Sequence, residues 1–600
     1  MNSRRDFIRS TALGAAVAAL PRLLADGPAT VAGRAAAPAL PLGAGRKDNG
    51  IAERHRNLFN GDSCVYFYNP ELWQPEGGPF SAKAIHRYVE VLAQSGIDTF
   101  LINPNAERAW YPSKVIPTII DGYKRGDREY FRGHASPAMV AAMGFKPADV
   151  DKFLDYMVVF FNQYLDLVEA GVDWLAETSQ ACRKQGVAPW VSVRMNDLHG
   201  YRNFKGSFFN LPILGREEMR LHHSTYPFMG GDWDYRQGLN YEKPEVRELM
   251  FKQIKEVVED YDFEGLELDW WRQPLCCEPV ASARTVAMMS DWFREVRALT
   301  ERRAQKNGRP YYFGMRIPGN LETLKSIGID VQTLSREGTL DFVCPSGFWR
   351  TTWDMPHDDL RRQLGERTAV YGVIEDGANA LPAYSPEHNL TREIRFISAS
   401  REMLYANAAG KLVLGASGIE WFNFFCTDQV RLPGIKSDYT FLHDIYRLDY
   451  LRGREKHYTF ANRGGILELP PFEAAPKLPV VLEQNWRQAF RLPMCAEPAD
   501  RGLQLVVQVV LKKSEPLTGL PVSFNGSWPE AGGVATALLL FPCGSLTHHI
   551  PDHIGYNFHF PVSLLQEGWN EVILENGGKE PLTIVCIEVA VMAAAGPRAT

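Results

Sequence analysis

A ten-residue stretch in the middle of the chain places two carboxylates where acid–base chemistry is possible. Residues 263–272 read Phe-Glu-Gly-Leu-Glu-Leu-Asp-Trp-Trp-Arg, and their side chains alternate with the period of two expected of a β-strand. Glu267, Asp269 and Trp271 share one face of this strand, and leucines occupy the other. Two carboxylates on one face of a buried strand are costly unless they are paired or functional. We predict that Asp269 is catalytic and that Glu267, which lies deeper, is either a further catalytic carboxylate or a brace for its neighbours.

A partner carboxylate is predicted near the end of a later strand. The run Thr368–Asp376 ends in two consecutive acids, and Glu375 is the predicted catalytic partner of Asp269. Asp376 remains an alternative, and a structural or loop-capping role for Glu375 remains open. Glu420, on the last predicted strand, is expected to contribute to substrate binding.

Two arginines are predicted to face the same interior as these acids. Arg194 and Arg316 lie on the third and fifth predicted strands, each on the face opposite to the apolar side chains. Because a buried guanidinium needs a carboxylate partner, we expect Arg194 to pair with Glu267 or Asp269. Both arginines could instead form ion pairs that only stabilise the fold. The residues predicted to bind substrate are Arg194, Asn196, Asp197, His199, Trp271, Arg272, Arg316, Trp349 and Glu420.

The elements that position these residues are eight β-rich runs separated by helical patterns. The runs are Ser63–Asn69, Asp98–Pro104, Val187–Asp197, Gly265–Arg272, Tyr312–Pro318, Leu340–Trp349, Thr368–Asp376 and Gly418–Phe425. The helical patterns include Ser81–Ser95, Val150–Gln185, Pro244–Tyr261, Ala281–Lys306 and Thr391–Ala409. This alternation predicts an α/β fold, a closed (β/α)8 TIM barrel spanning 58–455, with its active site at the carboxyl ends of the strands. An open doubly wound sheet is disfavoured because no GxGxxG motif follows the first strand.

Two connections, 105–148 and 198–242, are longer than turns. Each follows a strand and precedes a helix, so both are expected on the catalytic face of the barrel. Both are rich in aromatic residues, which either form small cores within the loops or line a cleft.

The composition changes after the barrel. Pro470, Pro471, Pro476 and Pro479 mark a linker, predicted as 456–479. Short alternating strands follow, and they predict an all-β sandwich over 480–600.

The N-terminus reads as an export signal. Ser3-Arg4-Arg5-Asp6-Phe7-Ile8 precedes a short apolar stretch, which is typical of the twin-arginine route. We therefore expect 1–57 to be a signal peptide followed by a flexible segment. The mature protein is expected to be periplasmic or extracellular, to lack a membrane span and to have the twin-arginine machinery as its export partner.

Composition argues against several classes of partner and cofactor. The 600 residues carry a net charge of -6, which predicts no nucleic-acid binding. Nine cysteines are irregularly spaced and lack CxxC or Cys/His metal patterns. The adjacent His222 and His223 are a weak metal signal. We therefore predict no cofactor and no metal site.

The central strand resembles the corresponding strand of glycoside-hydrolase barrels. In chitinase-type barrels this strand ends in a catalytic Glu, whereas Trp271 occupies that place here. The chain looks more like secreted bacterial glycosyl-hydrolase-like proteins, and Leu564–Asn576 resembles part of a jelly-roll accessory domain. The resemblance implies a glycoside hydrolase that acts on carbohydrate through two carboxylates, Asp269 and Glu375, the latter matched by topology.

Two alternatives remain open at this point. A non-catalytic glycan-binding protein on a glycosidase-like barrel is one, because Trp271 departs from the chitinase pattern. A metal-dependent barrel hydrolase is the other, although Ser63–Tyr68 lacks the HxH expected of amidohydrolase-like barrels.

Overall fold

The fold was analysed in a computed structural model of the chain. It describes residues 50–62, 67, 70–137, 140, 145–197, 208–222, 238–271, 274–278, 280–347, 351–375, 399–424, 439–460, 478–512, 519–538, 540 and 553–594. The twin-arginine motif, His199, His223, Arg272, Trp349 and Asp376 lie outside these ranges.

Nine parallel strands form the first sheet. They are β1 Asn57–Asp62, β2 Thr99–Asn103, β3 Ala188–Arg194, β4 Gly265–Asp269, β5 Tyr312–Ile317, β6 Phe342–Pro345, β7 Ala369–Val370, β8 Gly372–Ile374 and β9 Ile419–Phe422. Their order is β8-β9-β1-β2-β3-β4-β5-β6-β7. Because β7 and β8 are consecutive pieces of one strand, the two ends of the sheet meet.

Backbone bonds join these two ends. The Tyr371 N–H donates to the Val343 carbonyl at 3.0 Å, and the Gly372 N–H donates to the Gly418 carbonyl at 2.9 Å. The sheet is therefore a nearly closed barrel of eight strand positions, and the predicted (β/α)8 architecture is confirmed.

Helices lie between the strands. They are α1 Ile51–Arg54, α2 Pro70–Trp73, α3 Ala82–Gln94, α4 Val150–Glu169, α5 Trp174–Gln185, α6 Pro244–Asp260, α7 Ala283–Asn307, α8 Leu321–Ser326, α9 Val331–Glu337, α10 His357–Leu364, α11 Arg401–Val413 and α12 Leu448–Leu451. The helix predicted over 150–185 is two helices, because Gly171 has a positive φ and the Asp173 side chain caps the N-terminus of α5. No helix among the described residues is long and apolar enough to cross a membrane.

The first barrel strand lies earlier in the chain than predicted. The prediction placed it at Ser63–Asn69 and expected flexible chain up to residue 57, but β1 is Asn57–Asp62 and Ile51 is already fully buried. The Asn57 side chain explains how a polar segment forms this strand. Its amide donates to the carbonyls of Gly96 and Leu442, and its oxygen accepts from the Trp421 indole.

Aromatic side chains close the floor of the barrel at the amino ends of the strands. The ring centre of Trp190 lies 5.5 Å from that of Tyr312 and 4.9 Å from that of Phe342. A Cβ atom at Gly314 would lie 2.5 Å from the Phe342 ring, so this position requires glycine. The barrel interior is therefore a packed core, and a binding site is expected at the opposite end.

Antiparallel strands follow the barrel. They are β10 Lys456–Thr459, β11 Val480–Leu482, β12 Arg487–Met494, β13 Leu503–Lys512, β14 Val522–Phe524, β15 Val534–Thr536, β16 His553–Phe560, β17 Gly568–Glu575 and β18 Leu582–Ala593. One sheet has the order β10-β18-β13-β16-β15, with β11 also paired to β18, and the other has the order β12-β17-β14. The predicted β-sandwich is confirmed as a fold class.

The segment predicted as a linker contains a strand. Lys456–Thr459 pairs with Glu588–Val591 of β18, so the antiparallel sheet begins before the proline cluster. The buried core between the two sheets also includes Trp353, Met403 and Ala406 from the barrel region. The sequence pattern missed β10 because a four-residue edge strand carries little periodicity of its own.

The described part of the first long connection packs against α4, the helix that follows it. Tyr123 and Phe131 are buried against Phe161 of α4, with ring centres 5.6 and 4.7 Å from it. Phe208, from the second connection, joins the same cluster at 5.2 Å from Phe161. These rings belong to the main buried core of the barrel region, so they neither form a separate loop core nor line a cleft.

Candidate active site

The carboxyl end of β4 places Asp269 in the barrel mouth, as predicted. Its side chain is only 1% exposed, and Oδ1 accepts hydrogen bonds from Arg316 Nη1 at 3.2 Å and from the Trp271 N–H at 2.9 Å. The register explains the first contact, because Asp269 and Arg316 are direct neighbours on β4 and β5.

Arg316 joins Asp269 to Glu375 across the mouth. Its Nη2 atom donates to Glu375 Oε1 at 2.9 Å and to Ser346 Oγ at 3.1 Å. Burial lowers the pKa of this fully buried guanidinium, but the carboxylates of Asp269 and Glu375 oppose that effect and the pKa is raised overall. We call Asp269, Arg316 and Glu375 the Arg316 bridge. The structure therefore brings the two predicted catalytic carboxylates to opposite nitrogens of one permanent cation.

A short backbone clamp fixes Glu375. Its N–H donates to Thr351 Oγ1 at 2.9 Å, and the same hydroxyl donates back to the Glu375 carbonyl at 2.7 Å. Glu375 follows β8 directly, and its side chain is 7% exposed. Glu375, which follows the strand formed by β7 and β8, thus points into the barrel and not toward the helices.

Arg194 does not pair with Glu267 or Asp269, contrary to the prediction. Its partners are Asp62 at the end of β1 and Asp197, whose Oδ2 atom lies 3.1 Å from Arg194 Nη1. The reason is the earlier position of β1, which brings a carboxylate to the mouth that the predicted first strand did not contain. Asp197, predicted to bind substrate, therefore lies at the mouth, where its carboxylate is paired with Arg194.

The Asn196 side chain forms hydrogen bonds with the backbone of two loops. Its amide nitrogen donates to the carbonyls of Leu239 and Leu275, and its oxygen accepts from the Leu239 N–H at 2.9 Å. Trp271 is buried, with a side chain that is 2% exposed. In this structure Asn196 holds loop segments beside the mouth, and neither residue presents a free surface to a substrate.

Glu267 and Glu420 lie one layer deeper than the mouth. Asn60 Nδ2 donates to Oε1 of both, at 2.7 and 2.9 Å, and Ser192 Oγ donates to Glu267 Oε1 at 2.7 Å. Burial raises the pKa of Glu267 well above its ordinary value, and the neighbouring Glu420 adds to the effect. Glu267 therefore lies apart from the Arg316 bridge, and Glu420, predicted to bind substrate, is completely buried at the same depth.

His222 takes no part in this arrangement. It is exposed, and its Nδ1 atom lies 3.0 Å from Glu278 Oε1.

Several residues at the mouth were missed by sequence reasoning. Asp62, Ser346, Thr351 and Phe422 all contact a predicted site residue. The alternation Leu58-Asn60-Asp62 has the right period for an inward face, and this signal could have identified Asp62. Ser346 and Phe422 follow the inward-facing Cys344 and Glu420 by two residues, so the same period could have identified them, whereas Thr351 has no such signal.

Comparison with known proteins identifies glycoside hydrolases as structural neighbours. The sequence matches no protein-family model and no curated protein. Among solved structures it is similar to α-L-fucosidase isoenzyme 2 from Paenibacillus thiaminolyticus, with 12% identity, a TM-score of 0.36, and coverage of 68% of this chain and 51% of that chain. The chain thus spans about half the length of this fucosidase.

Two further neighbours have similar scores. One is the PgaB (BpsB) glycoside hydrolase domain from Bordetella bronchiseptica, with 11% identity, a TM-score of 0.33, and coverage of 61% of this chain and 94% of that chain. The other is an α-amylase from Anoxybacillus, with 10% identity, a TM-score of 0.35, and coverage of 87% and 98%. Likeness this distant carries no argument about substrate or mechanism, so function must be inferred from the site itself.

Proposed function

We propose that this protein is a glycoside hydrolase that cleaves an oligo- or polysaccharide at the carboxyl-terminal mouth of its barrel. The observation that supports the proposal is the Arg316 bridge, which holds two carboxyl groups at the mouth of a floor-closed barrel. Glycosidic cleavage needs one carboxyl group to protonate the leaving oxygen and a second to act as nucleophile or base. Asp269 and Glu375 supply these two groups.

We propose different roles for the two acids on the basis of their contacts. Asp269 accepts the Trp271 N–H and a guanidinium N–H on one oxygen, so it is the nucleophile or base in our proposal. Glu375 is the proton donor, because a proton on Oε2 leaves the bond from Arg316 to Oε1 in place. Arg316 remains charged throughout and stabilises the ionised partner.

A non-catalytic glycan-binding protein is the second candidate function. One observation favours it specifically: the same guanidinium forms an ion pair with both carboxylates, so neither acid is held apart from the cation. In that case the polar mouth would bind sugar hydroxyls without cleaving the chain.

A panel of oligo- and polysaccharides separates the two candidates. Release of reducing ends by the wild type, lost in Glu375→Gln and Asp269→Asn, would support hydrolysis. Binding without turnover, measured by calorimetry, would support the second candidate. The matched control is Asp260→Asn, an exposed acid at the end of α6 that pairs with Lys114. If the wild type neither binds nor cleaves any member of the panel, both proposals are overturned.

We also propose export through the twin-arginine route, on the strength of Ser3-Arg4-Arg5-Asp6-Phe7-Ile8. A double Arg4→Lys/Arg5→Lys variant should accumulate in the cytoplasm of the producing cell. Unchanged fractionation of this variant would contradict the proposal.

A further inference from the structure

A polar layer crosses the barrel interior between the aromatic floor and the Arg316 bridge. Its members come from five strands and are each at most 1% exposed: Asn60, Ser192, Glu267, Cys344 and Glu420. The core of a TIM barrel is ordinarily filled by branched apolar side chains. Two glutamates and a thiol at this depth therefore require an explanation.

Only one oxygen of each glutamate is occupied by a donor. Asn60 donates to Oε1 of Glu267 and of Glu420, and Ser192 donates to Oε1 of Glu267. The Oε2 atoms of both glutamates are buried and accept no hydrogen bond from a described amide or hydroxyl, and the Cys344 thiol lies beside both carboxyl groups. Buried acceptors without a partner are rare in folded proteins, and each one calls for an unseen group.

The layer also lacks a counter-charge. Neither Glu267 nor Glu420 forms an ion pair with any described side chain. Arg316 opposes the rise in the pKa of both glutamates from a longer range, but its guanidinium nitrogens contact Asp269 and Glu375. A carboxylate buried without compensation is strongly unfavourable. A cation bound in the layer would satisfy the unpartnered oxygens and supply the missing charge together.

The donor set selects the kind of cation. One carboxylate oxygen of Glu267, one of Glu420 and the Sγ atom of Cys344 all lie within 4.8 Å of one another. Calcium and magnesium take oxygen ligands, whereas zinc and related divalent ions accept thiolate together with carboxylate. Asn60 and Ser192 already orient the carboxylates from their other oxygen, as polar groups around metal ligands commonly do.

We propose that Glu267, Cys344 and Glu420 bind one divalent cation of the zinc class. Because the three ligands belong to β4, β6 and β9, this cation ties together strands from different sides of the barrel ring. The cation is structural, since the layer lies beneath the Arg316 bridge and contributes no group to the mouth. The site goes beyond the glycosidase proposal and does not depend on it.

A proton shared between the two glutamates is the competing explanation. It would also satisfy the Oε2 atoms, but it would leave the Cys344 sulfur as a thiol. Metal binding, in contrast, requires the thiolate. The sulfur therefore distinguishes the two explanations.

The test uses the full chain, produced once in ordinary medium and once in minimal medium with cobalt in place of zinc. Elemental analysis of the first preparation should find one zinc ion per chain. The cobalt preparation should show the near-ultraviolet charge-transfer band of a thiolate bound to cobalt. Neither readout requires activity, so failure of this proposal is distinguishable from failure of the proposed function.

Matched variants assign the metal to the layer. Cys344→Ser and Glu420→Gln should each lose the metal and the cobalt band. Cys182→Ser changes another fully buried cysteine, on α5 and outside the layer, and should keep both. If Cys344→Ser does not fold, the metal content and the cobalt band of Glu420→Gln decide whether the metal lies in the layer. Wild-type protein with only trace metal, or a cobalt band that survives in Cys344→Ser, overturns the proposal.

Discussion

The guanidinium carbon of Arg316 lies 3.3 Å from the centre of the Phe422 ring. The arginine that contacts the two mouth carboxylates with its edge is thus stacked on an aromatic face as well. Ion pairs within its plane and a cation–π contact across it use the two distinct surfaces of a guanidinium. An ammonium group could not reproduce this arrangement, so the position demands arginine.

Replacing Arg316 by methionine should destabilise the fold strongly. The change leaves Asp269 and Glu375 buried beside each other without a cation, which costs about 3–5 kcal/mol. Arg316→Lys should lose less stability, because it keeps the positive charge. It should still lose some stability, because an ammonium group contacts the two carboxylates from a single point. Urea unfolding followed by circular dichroism measures the difference. The exposed Arg362→Lys on α10 is the control, and wild-type stability of Arg316→Met would refute the interpretation.

Asp269→Asn should abolish glycoside turnover while the chain still folds. The amide is nearly isosteric and can accept the Trp271 N–H, but it lacks the charge that a nucleophile or base needs. Turnover should fall by at least about 100-fold, the lower range for loss of a catalytic acid or base. Reducing-end release measures activity, and the melting curve verifies folding. Wild-type turnover in this variant would remove Asp269 from the mechanism.

His357 should make the protein sensitive to acid. Burial lowers the pKa of His357 to about 3, with Lys411 adding to the effect, whereas the unfolded residue titrates near 6.5. Between these values the unfolded chain binds a proton that the folded chain does not. The stabilisation is therefore complete above pH 6.5 and is lost as the pH falls through this window, by at most about 1.4 kcal/mol per pH unit.

The measurement compares urea unfolding at pH 7 and pH 5. His357→Gln should reduce the loss of stability between these conditions by about 2 kcal/mol. The variant should keep some sensitivity, because burial also lowers the pKa of His55 to about 3. His559→Gln, on the exposed side of β16, should behave as the wild type. An unchanged profile in His357→Gln would contradict the assignment.

Lys456 of β10 should stabilise the sandwich through a completely buried ion pair. Its Nζ atom lies 2.6 Å from Glu497 Oε1, and neither side chain is exposed. Lys456→Met should cost about 3–5 kcal/mol, because Glu497 remains buried without a cation. The double variant Lys456→Met/Glu497→Leu should recover most of that loss. Urea unfolding of both variants tests this, and equal stability of the single and double variants would exclude the explanation.

A sandwich fragment should depend on where it begins. A fragment that starts at residue 480 lacks β10 and leaves Glu588–Val591 of β18 without its edge partner. A fragment that starts at 454 retains β10 and this pairing. We expect the longer fragment to be more soluble and to unfold more cooperatively. Static light scattering and thermal melts compare them, and better behaviour of the shorter fragment would show that β10 is dispensable.

The alternation of β4 was sufficient to predict an inward face, and the order of strands and helices was sufficient to predict the barrel. The first strand was placed wrongly because intrinsic preference favours the apolar run at 63–68 over Asn57–Asp62. The polar residues of β1 form a strand because the completed barrel binds them. Asn57 contacts residues 39 and 385 positions away. Such partners do not exist until the chain is folded.

The same limit applies to the site. Asp269, Arg316 and Glu375 were predicted individually, from strand period and position. The contact of Asp269 and Glu375 with the one guanidinium of Arg316 depends on the curvature of the barrel, and no local sequence pattern predicts it. Arg194 shows the consequence most clearly: its need for a carboxylate was predicted correctly, but the partner was Asp62 on a strand that had been placed elsewhere.

The pairing of β10 with β18 also has a consequence for biosynthesis. At about 5–20 residues per second, β10 leaves the ribosome roughly 6–25 s before the strand it must pair with. All nine barrel strands have been translated by then, so the barrel can close while the sandwich still lacks its central strand. A chain terminated before residue 582 would therefore carry a complete barrel beside an unfinished sheet, which is the kind of product that cellular proteases remove.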